Sequence, residues 1–274
     1  LLRPFPQYAN ILMRQRTAGK NQYHAGIVKF EKRVSSGWGG RINYTYSQLK
    51  DNQFGETNFF SNYGTTGNAG TEALNAYDLD AEYAIGILDA PHKLTVSPIV
   101  ELPFGQGKRW ATSGIPAIIF GDWTLSSIVS FESGFPVAIV AGTNSTQIFT
   151  RVQRVNPGTG DPATSGSRDD RMKPAGLWLN SAAFSAAPQF TFGTVPRTLG
   201  DVRTPHRNNW DFVAAKDLRF GGSRRAQIRL EVLNVTNTVK VRGPVTEHGS
   251  TTFGLIETQS GFMRLMQLMF RYSF

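Results

Sequence analysis

An all-β, antiparallel fold is what this sequence of 274 residues predicts. Three observations carry that expectation. Apolar and polar residues alternate over segments of about ten positions, the period of a strand rather than of a helix. Gly (28) and Pro (14) are frequent, and windows rich in Ala, Leu, Glu and Lys at helical spacing are missing. Charged residues make up 18% and aromatics 12%, a balance too apolar for a chain disordered as a whole.

The runs follow in order. From Gln22 to Val34, His24, Gly26, Val28 and Phe30 share one face, and Tyr23, Ala25, Ile27, Lys29 and Glu31 the other. After Ser35-Ser36-Gly37, Trp38, Gly40, Ile42, Tyr44 and Tyr46 alternate with Gly39, Arg41, Asn43, Thr45 and Ser47, so the first two runs read as a hairpin. Pro91 to Leu102 sets His92, Leu94, Val96, Pro98, Val100 and Leu102 against Lys93, Thr95, Ser97, Ile99 and Glu101. Asp122 to Glu132 sets Trp123, Leu125, Ser127, Val129 and Phe131 against Thr124, Ser126, Ile128 and Ser130. Asn208 to Phe220 and Arg225 to Thr236 flank the tight turn Gly221-Gly222-Ser223. The last run, Gly261 to Phe274, aligns Phe262, Met266, Leu268, Phe270, Tyr272 and Phe274. The count is seven strands.

Connection lengths alternate. Short ones lie at Ser35 to Gly37 and Gly221 to Arg224; long polar ones run from Gln48 to Ala90 and Ser133 to Arg207, with a shorter one from Asn237 to Ser260. Long structureless loops are uncommon in compact soluble domains but expected in an outer-membrane barrel, with its short periplasmic turns and long extracellular loops. The connection from Pro103 to Gly121 is long for a periplasmic turn, and nothing in its sequence accounts for it.

Alternation alone fits a soluble sandwich as well as a membrane barrel, because both turn one face away from water or from the core. Aromatics at strand ends favour the barrel: Trp38 and Tyr46, Trp123 and Phe131, and Trp210 fall where rings at headgroup depth are placed. No apolar stretch approaches the roughly 20 residues of a spanning helix, and Leu1-Leu2-Arg3-Pro4 lacks the n- and h-regions of a signal peptide. Complete bacterial barrels have an even strand number, and an open edge in hydrocarbon leaves backbone groups unpaired at several kcal/mol each. The expected fold is therefore an antiparallel transmembrane β-barrel, present as a partial, C-terminal set of strands with long extracellular loops. Residues 1–274 are read as one unit, with further strands upstream.

Chemistry is sparse. With no cysteine, thiolate metal sites and disulfides are excluded. His24, His92, His206 and His248 are scattered without a second ligand at metal spacing. Asp89 and His92 read as a strand-entry turn, Ser133-Gly134 lacks the Gly that precedes a nucleophile elbow, and Asp169-Asp170 reads as a solvated tract rather than a calcium site. Gly105-Gln106-Gly107-Lys108 lacks the full phosphate-loop spacing, and Asn144-Ser145-Thr146 and Asn234-Val235-Thr236 are sequons by letter only. No enzymatic activity, metal or cofactor is expected. The net charge of +9 comes without a clustered, aromatic-interleaved basic patch, so nucleic acid is not an expected partner. Anionic lipopolysaccharide is the better use for Arg203 and Arg207 near strand ends. The stretch from Lys50 to Asp89 holds one Lys against seven acids and reads as a solvated loop, a cationic or metal-bridged ligand being the alternative. Arg41, Lys93, Arg229 and Glu231 are expected to face a lumen.

The segments RPFPQYANI, YHAGIVKFEKRV, INYTYSQ, DAPHKLTVSPIVELPFGQGKRW and GDWTLSSIVSFESGFPVAI, then WLNSAAFSAAPQFTFGTVPRTLGDVRTPHRNNWDFVAAKDLRF, QIRLEVLNVTN and a terminal FRYSF, cover most of the chain. In this order they resemble the C-terminal β-barrel region of Oar-like TonB-dependent outer-membrane receptors. The departures are local: the stretch after Asn237 is shorter and lacks a Pro-Asn-Phe-Gly segment, and Thr236 stands where the family has an aromatic. The resemblance implies a barrel of about 22 strands around a plug. It implies uptake energised by TonB, ExbB and ExbD acting on that plug, in the outer membrane of a Gram-negative cell. It also implies that Leu268, Phe270, Tyr272 and Phe274 form the signal read by the barrel-assembly machinery. Two alternatives stand beside it: a secreted or surface adhesin-like binding module with its apolar face internal, and a small complete barrel with enzymatic activity.

Overall fold

The computed structural model describes residues 7, 17–52, 73–75, 77–147, 153–220 and 224–274. Seven long strands form one antiparallel meander whose spatial order is the chain order: β1 (Asn21–Ser35), β2 (Trp38–Asp51), β3 (His92–Glu101), β4 (Trp123–Glu132), β5 (Arg207–Arg219), β6 (Arg225–Leu233) and β7 (Leu265–Ser273). Each coincides with one of the alternating runs. Three boundaries differ. β2 runs on to Asp51, where Lys50 and Asp51 pair with the short strand Ala84–Ile85. β6 ends at Leu233 rather than Thr236, because Asn234 turns left-handed (φ +53°) and its side-chain amide bonds the Thr238 backbone, closing a turn. β7 begins at Leu265, four residues after Gly261. The Gly221-Gly222-Ser223 turn lies outside the described residues, as do Glu56 and Glu72.

Register fixes the faces. Trp38, Ile42, Tyr44 and Tyr46 lie opposite Val100, Val96, Leu94 and His92. Leu94, Val96 and Val100 oppose Phe131, Val129 and Leu125, which oppose Asn208, Trp210 and Ala214. Leu230 and Ile228 continue the face to Leu268 and Phe270. Side chains alternate across a strand, so all of these share one side of the sheet. No second sheet covers that side among the described residues: Phe30 is 56% exposed, Leu268 73% and Phe270 66%. An adhesin-like sandwich needs this face internal, and the described residues supply no interior for it. The outer edges of β1 and β7 have no partner among the described residues, so the sheet is open.

One position shows how tightly the wall is built. Gly40 sits opposite Pro98 at φ +154°, and a Cβ there would fall 2.7 Å from the Ser97 carbonyl oxygen. On its other side, the β3–β4 ladder skips Ser97 and Pro98, as a residue without an N–H requires.

The long connections all leave from the same end of the sheet, and they are not structureless. Residues from two of them build a core of Val137, Ile139, Val155, Trp178, Leu179, Ala183, Phe184, Val195, Val202 and Phe253. Short pairings tie it together: Pro136–Val137 with Leu199–Arg203, Asn156–Pro157 with Phe184–Ser185, and, across connections, Val140–Ala141 with Glu247–His248. Gly134 allows the tightest approach, since a Cβ there would collide with the Thr204 carbonyl oxygen.

The described part of the acid-rich stretch is only partly a solvated loop: Asp78 and Asp80 are exposed, but three other acids are not. Asp51, Glu82 and Asp89 are buried, and each meets an arginine of the β4–β5 connection: Arg197, Arg154 and Arg203 respectively. Arg197 also donates to the carbonyl oxygens of Glu82 and Asp51, at 3.0 and 2.7 Å. The cation these carboxylates attract is the chain's own. At the opposite end of the sheet, the connection from Pro103 to Gly121 folds into a turn closed by the Phe104 and Trp110 rings (5.5 Å apart) and a short helix, α1 (Gly114–Phe120).

Candidate functional site

The side of the sheet opposite the apolar face carries charge in pairs. Cross-strand neighbours Glu31 and Arg41 bond at 3.0 Å, and Lys93 and Glu132 at 2.8 Å. Arg229 and Glu231, two apart on β6 and thus on one face, bond at 2.5 Å, and Gln227 donates to Asp217 at 2.9 Å. Arg41, Lys93, Arg229 and Glu231 all lie on this polar face.

At the loop end of this face, the upper turns of β3, β4 and β5 border a cleft of about 400 Å³. Lys93, Thr95, Ser130, Glu132 and Arg207 line its floor, and Lys240 and Ser260 of the β6–β7 connection roof it. Lys240 is held by donating to Asn209 Oδ1 at 2.7 Å. Three cations thus surround one carboxylate. Beside them the His206 ring packs tilted against Phe131, ring centres 5.5 Å apart. Burial, and then the charge of Arg168, lower the His206 pKa below its ordinary value. Within the loop core, burial and the neighbouring Arg197 lower the Arg154 pKa to about 10, so it stays charged at neutral pH beside Glu82.

The apolar face carries two aromatic levels. Trp38 and Trp123 open β2 and β4 at the short-turn end; Tyr46, Phe131 and Trp210 lie toward the loop end. Eight residues separate Trp38 from Tyr46 and Trp123 from Phe131, roughly 27 Å along a strand and about 20 Å along the normal once it tilts. That is close to, and somewhat less than, the roughly 25 Å of an apolar band between two interfaces. Leu268, Phe270 and Tyr272 sit on the same face of edge strand β7, and Phe274 follows them, 95% exposed.

Sequence reasoning missed the charges on this apolar face. Among the described residues, those between the aromatic levels are Lys32 and Lys216, both at the short-turn end and each beside a tryptophan. Lys32 Nζ lies 3.9 Å from the centre of the Trp38 ring and donates to the Trp38 carbonyl at 2.7 Å. Lys216 Nζ donates to the Gly121 carbonyl at 2.5 Å, with the Trp123 ring 5.3 Å away. The only signal was a lysine on the apolar side of each alternation.

Most of the remaining singled-out residues have structural partners. His92 bonds the Tyr44 hydroxyl at 2.8 Å through Nδ1 and does not pair with Asp89. Ser133 Oγ accepts from the His92 backbone N–H; Ser167 caps the short helix Arg168–Arg171 by accepting from the Asp170 N–H, and Asp170 pairs with Lys173. Arg203, considered above for lipopolysaccharide, is held by Asp89 and the Gly134 carbonyl. His24 lies on β1 and His248 packs against Phe184 and Phe253. Among the described residues, no three His, Asp or Glu side chains gather at metal-binding spacing.

A family model described as "Outer membrane beta barrel domain" matches residues 1–267. Searches of curated proteins and of solved structures returned no match.

Proposed function

The chain belongs to the outer-membrane β-barrel domain family, and on that premise we propose that it forms wall and extracellular loops of a TonB-dependent transporter in the outer membrane. One observation carries the reading: a sheet aliphatic and aromatic on one side, ion-paired on the other, with a cationic cleft where the polar side meets fixed loops. The ordered resemblance to Oar-like receptors supports the energised mode of transport. In this reading residues 1–274 are the C-terminal part of the barrel, and further strands pair with the free edges of β1 and β7. Arg41, Lys93, Arg229 and Glu231 face the lumen and its plug, through which TonB, ExbB and ExbD act. The wall performs no bond chemistry and needs no cofactor. Lipid surrounds the apolar face, lipopolysaccharide its outer rim, and the barrel-assembly machinery reads Leu268, Phe270, Tyr272 and Phe274.

The test is genetic and uses the full reading frame. Cells lacking the gene, with and without TonB, are grown with ferric chelates, cobalamin, oligosaccharides or peptides as the limiting nutrient. The expected result is that at least one nutrient is taken up only when both gene and TonB are present. Uptake that depends on the gene but persists without TonB, or no dependence for any nutrient, overturns the proposal.

A further inference from the structure

Helix α1 presents an apolar surface that no described residue covers. Ile115, Ile118, Ile119 and Phe120 are 71, 66, 52 and 58% exposed, and no residue of the helix is buried. From Trp110 to Gly121 there is not one charged residue. An unsupported apolar turn of this kind is costly in water, so what borders it matters.

Two bonds fix its place. The Trp123 indole N–H donates to the Ile119 carbonyl at 3.0 Å, and Lys216 Nζ donates to the carbonyl of Gly121, the residue that ends the helix. Trp123 and Lys216 both belong to the apolar face of the wall. The helix therefore continues that face at its short-turn rim, level with the Trp38 and Trp123 belt. On its N-terminal side, exposed Arg109 lies with its guanidinium carbon 5.2 Å from the centre of the half-exposed Trp110 ring. A cation, an indole and an aliphatic turn in sequence match, from the headgroups inward, the profile of a bilayer interface.

We propose that α1 is an interfacial anchor: it lies in the periplasmic leaflet of the outer membrane, with Ile115, Ile118, Ile119 and Phe120 among the upper acyl chains and Arg109 at the anionic phosphates. The occupant of this surface is lipid. Lys216 latches the anchor to the wall, its ammonium satisfied by the Gly121 carbonyl where hydrocarbon would otherwise surround it. The connection from Pro103 to Gly121 is long because it carries this element.

The full-length protein, with Ile118→Cys or Ile115→Cys labelled by an environment-sensitive fluorophore, is reconstituted into vesicles of phosphatidylethanolamine and phosphatidylglycerol. A label at Val129→Cys on the wall serves as reference. The expected result is a blue-shifted emission at both helix positions, quenched more by doxyl groups high on the acyl chain than by groups near its end. Arg109→Glu should lessen that quenching in vesicles containing phosphatidylglycerol and not in phosphatidylcholine alone. Unshifted emission quenched by aqueous iodide places the helix in water and overturns the proposal. A blue shift without lipid quenching means that protein covers the helix, and overturns it equally. Because the Val129 label reports the wall independently, lipid quenching there alongside either failure leaves the barrel assignment standing.

Discussion

Asp51, Glu82 and Asp89 show how residue types mislead when read one at a time. In sequence they belong to an acidic, polar tract; in the fold each is buried against an arginine far along the chain. Taking two charges out of water costs several kcal/mol per ion, offset only when pairing is close and further hydrogen bonds are made. Arg197 meets both conditions through Asp51 and two backbone carbonyls. Arg197→Met should remove the arginine partner of buried Asp51 and destabilise the loop core by about 3–5 kcal/mol. The check is proteolysis of the loops in urea, which should begin at lower denaturant than in the parent protein; an unchanged midpoint would show that the pair contributes nothing. His206 gives a pH dependence of defined sign. Its folded pKa is lowered, so the unfolded segment binds the proton first, and stability present above the ordinary value of about 6.5 is lost as pH falls below it. The protection of amides around His206, taken as the exchange rate relative to that of the unfolded chain at the same pH, should therefore fall between about pH 7 and pH 5. His206→Phe, which keeps a ring against Phe131, should abolish that change.

Among the elements, the strands were legible in the sequence and the loops were not. A period of two is local: Trp38 to Tyr46 and Trp123 to Phe131 declare their faces without knowledge of the rest of the chain. The loop core depends on contacts such as Asp51 with Arg197, 146 residues apart, which no local pattern encodes. Helix α1 was hidden for another reason. It has no polar face to generate a helical period, and it is a single short stretch with a Pro inside and a Gly at each end. The polar-face placement of Arg41, Lys93, Arg229 and Glu231 followed from parity alone, whereas the cleft above Lys93 required the β6–β7 connection to fold back with Lys240. At this scale a substitution should report its face. Val96→Arg, on central strand β3 with Ile42 and Val129 as neighbours, should cost about 2–4 kcal/mol in a lipid bilayer. Ser126→Arg on the polar face should stay within about 0.5 kcal/mol. Urea unfolding in vesicles measures both. On β7, Phe270→Ser should reduce the amount of barrel that resists detergent at room temperature, while Met269→Ser on the other face should not; equal effects would detach the assembly signal from the apolar side.

For the whole molecule, the two faces, the fixed loops and the open edges form one arrangement. Ion pairs such as Lys93 with Glu132 are half-exposed and stabilise little by themselves, about 0.2–1 kcal/mol each, so their consequence is a wettable surface rather than a rigid one. Between the aromatic levels of the apolar face, by contrast, the described lysines keep to one rim, each beside an indole. The two unpaired edges require neighbours wherever hydrocarbon replaces water. Everything then turns on what the aliphatic side of the sheet touches. Single cysteines placed along β4 from Thr124 to Phe131, in a stretch of 274 residues that has no cysteine of its own, carry the spin labels, any cysteine elsewhere in the full-length protein being replaced. Power saturation of the full-length protein in lipid vesicles then measures collisions with oxygen, which concentrates in acyl chains. High oxygen accessibility at Leu125, Ser127, Val129 and Phe131, alternating with low values at Thr124, Ser126, Ile128 and Ser130, is the predicted result. Low oxygen accessibility at all eight positions would mean that protein packs against this face, and would contradict the account.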